Sequence, residues 1–388
     1  MTDSFEEKAA WCALNTIFGF EPLVGHRLAD ALDGPSRIFH LPPQDRREIL
    51  GPSKYLPQLT ESTLDKTTES LRRLQADGYG FIGYGEPGYP GLLRECEDPP
   101  LGLYYRSDAP LAELFGRRPA IAVVGTRDIS PYGTEWCQRI VMALARAAQK
   151  PQIVSGLALG TDGIAHRTAL ECGLPTVGVM ATGIDGVYPF RHEALADTIA
   201  HAPASGLVTD YPPGTAPLAI HFIRRNRIIA GLCSATILVE SKSKGGGMIT
   251  ARLAASYDRN VLALPGRIDD RRSAGCNHLI REQIAEPLTD LDRLAEQLGL
   301  GPGKPLGKRD LYQEVISFYQ SSHPVEEARR MARIARLIQQ NRGISLEEVA
   351  RLTETPWPEA AACAGILQGD GFICMDLLGG CTIKPKNM

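Results

Sequence analysis

From Pro119 onward one pattern recurs six times: a short apolar run rich in β-branched residues, a turn of Gly, Ser, Thr or Pro, and then a helical stretch. The runs fall at 120–124, 152–154, 176–180, 207–209, 235–239 and 260–264. They are apolar on successive residues rather than on alternate ones, as strands covered on both faces are. Strands that alternate with helices pair in parallel, so the pattern predicts an α/β fold: an extended Rossmann-like, doubly wound parallel sheet. Right-handed crossovers then carry every post-strand turn to the same edge. Residues far apart in the chain become neighbours in a crevice there.

The flanks are of another kind. A chain of 388 residues exceeds what one compact core usually holds. Residues 5–80 read as helical, which predicts a small helical domain over 1–80, ahead of a Rossmann-like domain over 81–300. Gly301-Pro302-Gly303-Lys304-Pro305-Leu306-Gly307-Lys308 reads as a linker spanning 301–310. Helical stretches at 331–340, 345–353 and 358–368, then two short apolar runs within 372–382 around Gly379-Gly380, predict a winged-helix domain over 311–388.

Charge and cysteine narrow the function classes. The net charge is −3, but residues 1–110 hold 11 Lys+Arg against 17 Asp+Glu, whereas residues 221–282 hold 11 against 5. A local basic surface of that kind is what phosphate binding requires. Nine cysteines without a C-x-x-C pair predict reduced structural thiols, with no disulfide framework and no metal site. The acidic amino end lacks an apolar segment, and the longest nearly apolar run, 228–239, is too short to span a bilayer. A soluble cytoplasmic protein is expected, without membrane partners and without a cofactor.

The post-strand turns carry the candidate chemistry. Val124-Gly125-Thr126-Arg127 ends the first strand: Gly125 allows close backbone approach, Thr126 offers a hydroxyl and an amide, and Arg127 a fork of donors suited to phosphate. The second strand ends in Ser155-Gly156-Leu157-Ala158-Leu159-Gly160-Thr161-Asp162, where Asp162 reads as a helix N-terminal carboxylate and His166 as a satisfied, partly buried histidine. Phe222-Ile223-Arg224-Arg225-Asn226-Arg227 combines arginines, an amide and an aromatic ring, the set with which proteins hold single strands. Helical spacing points Arg224 and Arg227 away from Arg225. Lys242-Ser243-Lys244-Gly245-Gly246-Gly247 adds two cations to a glycine turn whose amides open a helix. It is not a Walker A loop, since no Lys-Ser or Lys-Thr follows the glycines. Gly83-x-Gly85-x-x-Gly88 matches the dinucleotide fingerprint in letters alone, because Tyr89-Pro90 follows and no strand-turn-helix unit surrounds it.

Together these stretches resemble the DNA-processing protein A family, DprA or Smf. The marks are Tyr89-Pro90 with Asp98-Pro99-Pro100, Val124-Gly125-Thr126-Arg127, Ser155-Gly156-Leu157-Ala158, Gly183-Ile184-Asp185 with Tyr188-Pro189, Pro212-Pro213-Gly214, Arg225-Asn226-Arg227-Ile228-Ile229-Ala230-Gly231, Pro265-Gly266, and Gly275-Cys276-Asn277. The resemblance implies single-stranded DNA bound in a basic pocket, homodimerisation, and loading of RecA onto strands coated by single-strand-binding protein, in natural transformation or recombination. It implies no catalytic activity. Two departures stand out: Leu159 replaces a usual Arg, and Gly245-Gly246-Gly247 replaces a turn of the Ser-Gly-Ser type.

Two other classes fit the sequence less well. A nucleotide-processing phosphoribohydrolase on a Rossmann-like fold resembles a Pro-Gly-Gly-x-Gly-Thr-x-x-Glu pattern, but Lys244-Gly245-Gly246-Gly247-Met248-Ile249-Thr250-Ala251-Arg252 lacks its carboxylate. A winged-helix transcription factor fails on charge, since residues 352–383 hold no Lys or Arg for a major groove.

Overall fold

The computed structural model describes residues 4–116, 118–303, 310–341, 343–376 and 379–383. They form two compact units: the described residues of Met1–Ile129 with Ile140–Lys304, and those of Ser130–Arg139 with Pro305–Met388.

A nine-stranded sheet organises the first unit. Its strands are β1 (Gly80–Gly83), β2 (Gly102–Arg106), β3 (Ala120–Val124), β4 (Gln152–Ser155), β5 (Thr176–Val179), β6 (Gly206–Thr209), β7 (Ala235–Leu238), β8 (Asn260–Ala263) and β9 (Glu286–Pro287), in spatial order β1-β2-β6-β5-β4-β3-β7-β8-β9. All six strands expected from the sequence are present, and β3 to β9 run parallel. Three strands were not foreseen. β1 and β2 pair antiparallel, and β2 adds antiparallel to β6. The chain steps outward from β3 to β6, then returns to place β7 on the other side of β3. That reversal is the topological switch point, where loops on either side diverge and leave a crevice.

Helices cover both faces. We label α1 (Ser4–Phe18), α2 (Glu61–Ala76), α3 (Pro131–Leu144, of which residues 131–139 belong to the second unit), α4 (Thr161–Glu171), α5 (Glu193–His201), α6 (Ala219–Leu232), α7 (Gly246–Ser256) and α8 (Ala274–Arg281). One core joins Ile228, Met248 and Leu279 of α6, α7 and α8 to Ile82, Leu103, Val124 and Val208 of the sheet. The opposite core joins Leu14 of α1, Leu71 of α2 and Ile199 of α5 to Phe81, Tyr104 and Leu207. Adjacent residues on β1, β2 and β6 thus serve different cores, as the two-residue pleat demands. The helices of the first eighty residues share their core with the sheet edge. The fingerprint-like Gly83 and Gly85 sit there against the indole of Trp11, where an added Cβ would come within 2.7 and 2.8 Å of ring atoms.

The second unit carries α9 (Leu311–Tyr319), α10 (Val325–Gln340), β10 (Ile344–Ser345), α11 (Leu346–Leu352), α12 (Trp357–Gly369), β11 (Ile373–Met375) and β12 (Gly380–Ile383). Its sheet has the order β10-β12-β11, antiparallel throughout. Its core gathers Val315, Tyr319, Met331, Ile338, Val349 and Leu367. Most of the expected linker, residues 304–309, lies outside the described residues, as do residues 377–378 between its last two strands.

A buried histidine makes the fold sensitive to acid. His166 on α4 is fully buried, and its Nδ1 pairs with the Thr176 hydroxyl at 2.7 Å, which itself donates to the Ile153 carbonyl at 2.8 Å. Burial, aided by the positive charge of nearby side chains, pulls its pKa from 6.5 down to about 3. The unfolded chain therefore takes up a proton near pH 6.5 that the folded chain refuses. The contribution is fully present above that pH and falls as pH drops, by about 2 kcal/mol between pH 7 and pH 5. Urea unfolding at both pH values should show a smaller acid loss for His166→Gln than for the parent. An equal loss would assign the acid sensitivity to other groups.

Candidate nucleic-acid interface

A cleft of about 600 Å³ opens at the switch point. The turn after β3 supplies Gly125, Thr126 and Arg127, and the segment after β4 supplies Ala158 and Asp162. Tyr188 comes from the loop after β5, and Lys242, Lys244 and Gly245 from the turn after β7. Along one wall runs α6, with Phe222, Ile223, Arg225, Asn226 and Ile229. Segments more than a hundred residues apart meet here because each follows a parallel strand.

The wall chemistry is cationic and aromatic. The Arg127 guanidinium lies over the Phe222 ring, 5.1 Å from its centroid, and Tyr188 meets Phe222 edge to face at 5.5 Å and 65°. Arg225 is buried and donates to the carbonyls of Gly156 (2.6 Å) and Val179, at the carboxyl ends of β4 and β5. Burial lowers its pKa to about 10, with Asp162 opposing the shift and Arg127 adding to it. It remains a cation at neutral pH. Asp162 is the one carboxylate among the described lining residues; burial pushes its pKa up, and Arg225 opposes that. Asn226 is also buried, yet its amide makes no hydrogen bond to any described residue. Lys242 stands 3.9 Å from Asp128, which Arg272 also approaches at 3.3 Å, while Lys244 has no ion pair among the described residues.

Nine of the thirteen positions expected from the sequence line this cleft: Gly125, Thr126, Arg127, Phe222, Arg225, Asn226, Lys242, Lys244 and Gly245. Four do not. Ser155 is wholly buried and donates to the Val123 carbonyl at 2.7 Å, tying β4 to β3. Gly156 lies beneath the floor, where a Cβ would come 2.6 Å from Arg225 Nη2 and 2.7 Å from Asp162 Oδ2. Arg224 turns to the amino-terminal helices, donating to the carbonyls of Gly19 (2.5 Å) and Phe20 (3.2 Å) and lying over the Phe20 ring. Arg227 is buried against Asp210 at 2.7 Å and also donates to the Asp98 carbonyl. Both arginines are pinned by partners distant in sequence. Conversely, Tyr188 and Ile223 line the cleft and were not expected there; the signal available was an aromatic in a post-strand turn.

Several sequence marks prove to be scaffold. Asp185 accepts both hydrogen bonds of its carboxylate from the Gly214 amide at 2.9 Å, joining Gly183-Ile184-Asp185 to Pro212-Pro213-Gly214. The Asn277 amide group clamps Gly266, accepting from its N–H at 3.2 Å and donating to its carbonyl at 3.0 Å. Tyr89 donates to the Pro100 carbonyl at 2.8 Å.

Fold and cleft define a class: a Rossmann-type α/β protein whose switch-point crevice carries net positive charge beside an aromatic ring. The family described as DNA recombination-mediator protein A matches residues 80–299, and the chain belongs to that family, which includes the DprA and Smf proteins. It is 33% identical over 302 residues to protein Smf of Synechocystis sp., covering 76% of this chain and 74% of the relative. It is 39% identical over 208 residues to DNA processing protein DprA of Streptococcus pneumoniae, covering 54% and 71%. Of solved structures, DprA from Streptococcus pneumoniae superposes with a TM-score of 0.61 at 31% identity, over 76% of this chain and 99% of that one. DprA from Helicobacter pylori, described for its single-stranded DNA binding mode, gives 0.50 at 28% identity, over 57% and 95%. No helix among the described residues is long and apolar enough to cross a membrane.

Proposed function

We propose that the chain is a recombination mediator that holds single-stranded DNA in the switch-point cleft. The observation that carries this reading is the Arg127–Phe222 pair, a cation over an aromatic ring, in the same cleft as Asn226, whose amide makes no hydrogen bond to any described residue. A ring and a guanidinium serve base and backbone of an unpaired strand without a groove-reading helix. Gly125, Thr126, Arg127, Lys242, Lys244 and Gly245 contact phosphates, Phe222 and Asn226 the base, and Arg225 the inner end of the cleft. Ser155, Gly156, Arg224 and Arg227 hold those groups in place. The single-strand-binding relative from Helicobacter pylori supports the choice of ligand.

The finer role follows the family: a homodimer that loads RecA onto strands coated by single-strand-binding protein, during transformation or recombination, in the cytoplasm and without catalysis. The division into 1–80, 81–300, 301–310 and 311–388 belongs to this proposal. So does a winged-helix module, supported by the α10-β10-α11-α12-β11-β12 order that follows α9 in the second unit. Fluorescence anisotropy with labelled oligonucleotides across a salt series tests the ligand. Single strands should bind more tightly than duplex of equal length and with little sequence preference; equal affinity contradicts the proposal.

A further inference from the structure

The loop between β5 and α5 carries more aromatic surface than the cleft uses. It is tied down at both ends: Asp185 holds the Gly214 amide, and the buried His192 pairs with the Leu157 carbonyl at 2.8 Å. Between these anchors stand Tyr188, 48% exposed, and Phe190, 77% exposed. Arg191 follows, exposed and without an ion pair among the described residues. A lone exposed apolar side chain is ordinary, but two exposed aromatic rings on one anchored loop that runs into a cleft form the kind of surface that marks a binding site. Tyr188 touches Phe222 and lines the cleft, so the surface continues the proposed base site outward. Its neighbouring cations, Arg127 and Arg191, suit a polyanion.

We propose that this loop is a second stacking platform, on which the nucleotides next to the cleft-bound one lay their bases against Tyr188 and Phe190, with Arg191 on the adjoining phosphate. The inference rests on the single-strand reading of the cleft. It makes affinity depend on strand length: a short oligothymidylate fills the cleft alone, and a longer one gains the platform. Because Phe190 is mostly exposed, Phe190→Ala leaves the fold intact.

The test titrates the full chain with short and long fluorescent oligothymidylates, and with long strands carrying 2-aminopurine as a stacking reporter. Phe190→Ala should weaken the long strand by about five- to one-hundred-fold, as loss of one stacked base does, while the short strand binds as before. Phe190→Trp should restore the affinity and the 2-aminopurine quenching. Arg191→Ala should lower the salt slope of the long strand alone, by about 0.7. If Phe190→Ala and Arg191→Ala bind long strands like the parent while Phe222→Ala fails with both lengths, the platform is overturned and the cleft reading stands. If the parent binds neither strand, both fall. Loss of self-association in Phe190→Ala, with DNA binding unchanged, would also overturn the platform by assigning the surface to a protein contact.

Discussion

Replacing Arg227 with leucine is expected to destabilise the first unit by about 3–5 kcal/mol, the usual result of removing one partner from a buried pair. Both side chains are almost wholly enclosed, the Arg227 guanidinium at 5% exposure and the Asp210 carboxylate at 3%, so the anion would remain without solvent or counter-charge. Burial alone would lower the Arg227 pKa, but Asp210 and Asp98 outweigh it and hold the pKa above its ordinary value. Removing both charges, in Arg227→Leu with Asp210→Leu, should recover much of the loss, because two apolar side chains leave no orphaned charge. Urea unfolding midpoints of the single and double variants measure this. A double variant less stable than Arg227→Leu would mean that the pair acts mainly through packing or through Asp98. Either way Arg227 is a structural arginine: at matched folded concentration its loss should leave the salt slope of DNA binding unchanged.

Phe222→Ala is the second large effect, on binding rather than on stability. Losing the ring should cost about 1–3 kcal/mol of single-strand affinity, with the slope against log salt unchanged, since stacking releases no counterions. Arg127→Ala and Lys244→Ala should each lower that slope by about 0.7. The ring also supports the Arg127 guanidinium, so the Phe222 and Arg127 losses should be less than additive in the double variant. Arg46 and Arg47, on the helix Pro43–Leu50, serve as controls expected to change little. Should the control pair weaken binding as much as Arg127→Ala, the strand lies elsewhere.

The parallel part of the sheet is legible in the sequence because each of its six main strands announces itself twice, by an apolar run and by the small-residue turn that follows. β1 and β2 escape that reading. They are antiparallel, and only the short helix Gly91–Arg94 lies between them, so the strand-turn-helix rhythm is missing. β9 escapes because two residues make no pattern. At the site, the cations and the ring were visible because phosphate and base binding need those residue types. Their sorting was not. Helical periodicity separates Arg225 from Arg224 and Arg227, but only the fold shows that Asp98 and Asp210 wait behind Arg227, or that the carbonyls of Gly19 and Phe20 end beside Arg224. Ser155 was misplaced for a related reason: it belongs to β4 itself, and its hydroxyl is spent on the neighbouring strand. An aromatic in a post-strand turn marks Tyr188 as a candidate, but its contact with Phe222 of α6 depends on the path of the whole loop after β5, which no local pattern encodes.

Photocrosslinking tests most directly whether a single strand lies in the switch-point cleft. A strand bearing 5-iododeoxyuridine, irradiated in complex with the full chain and mapped by mass spectrometry, should attach to Phe222 or Tyr188, the aromatic side chains that line the cleft. Crosslinks confined to the helices of residues 4–76, or to residues 311–383 of the second unit, would contradict the account.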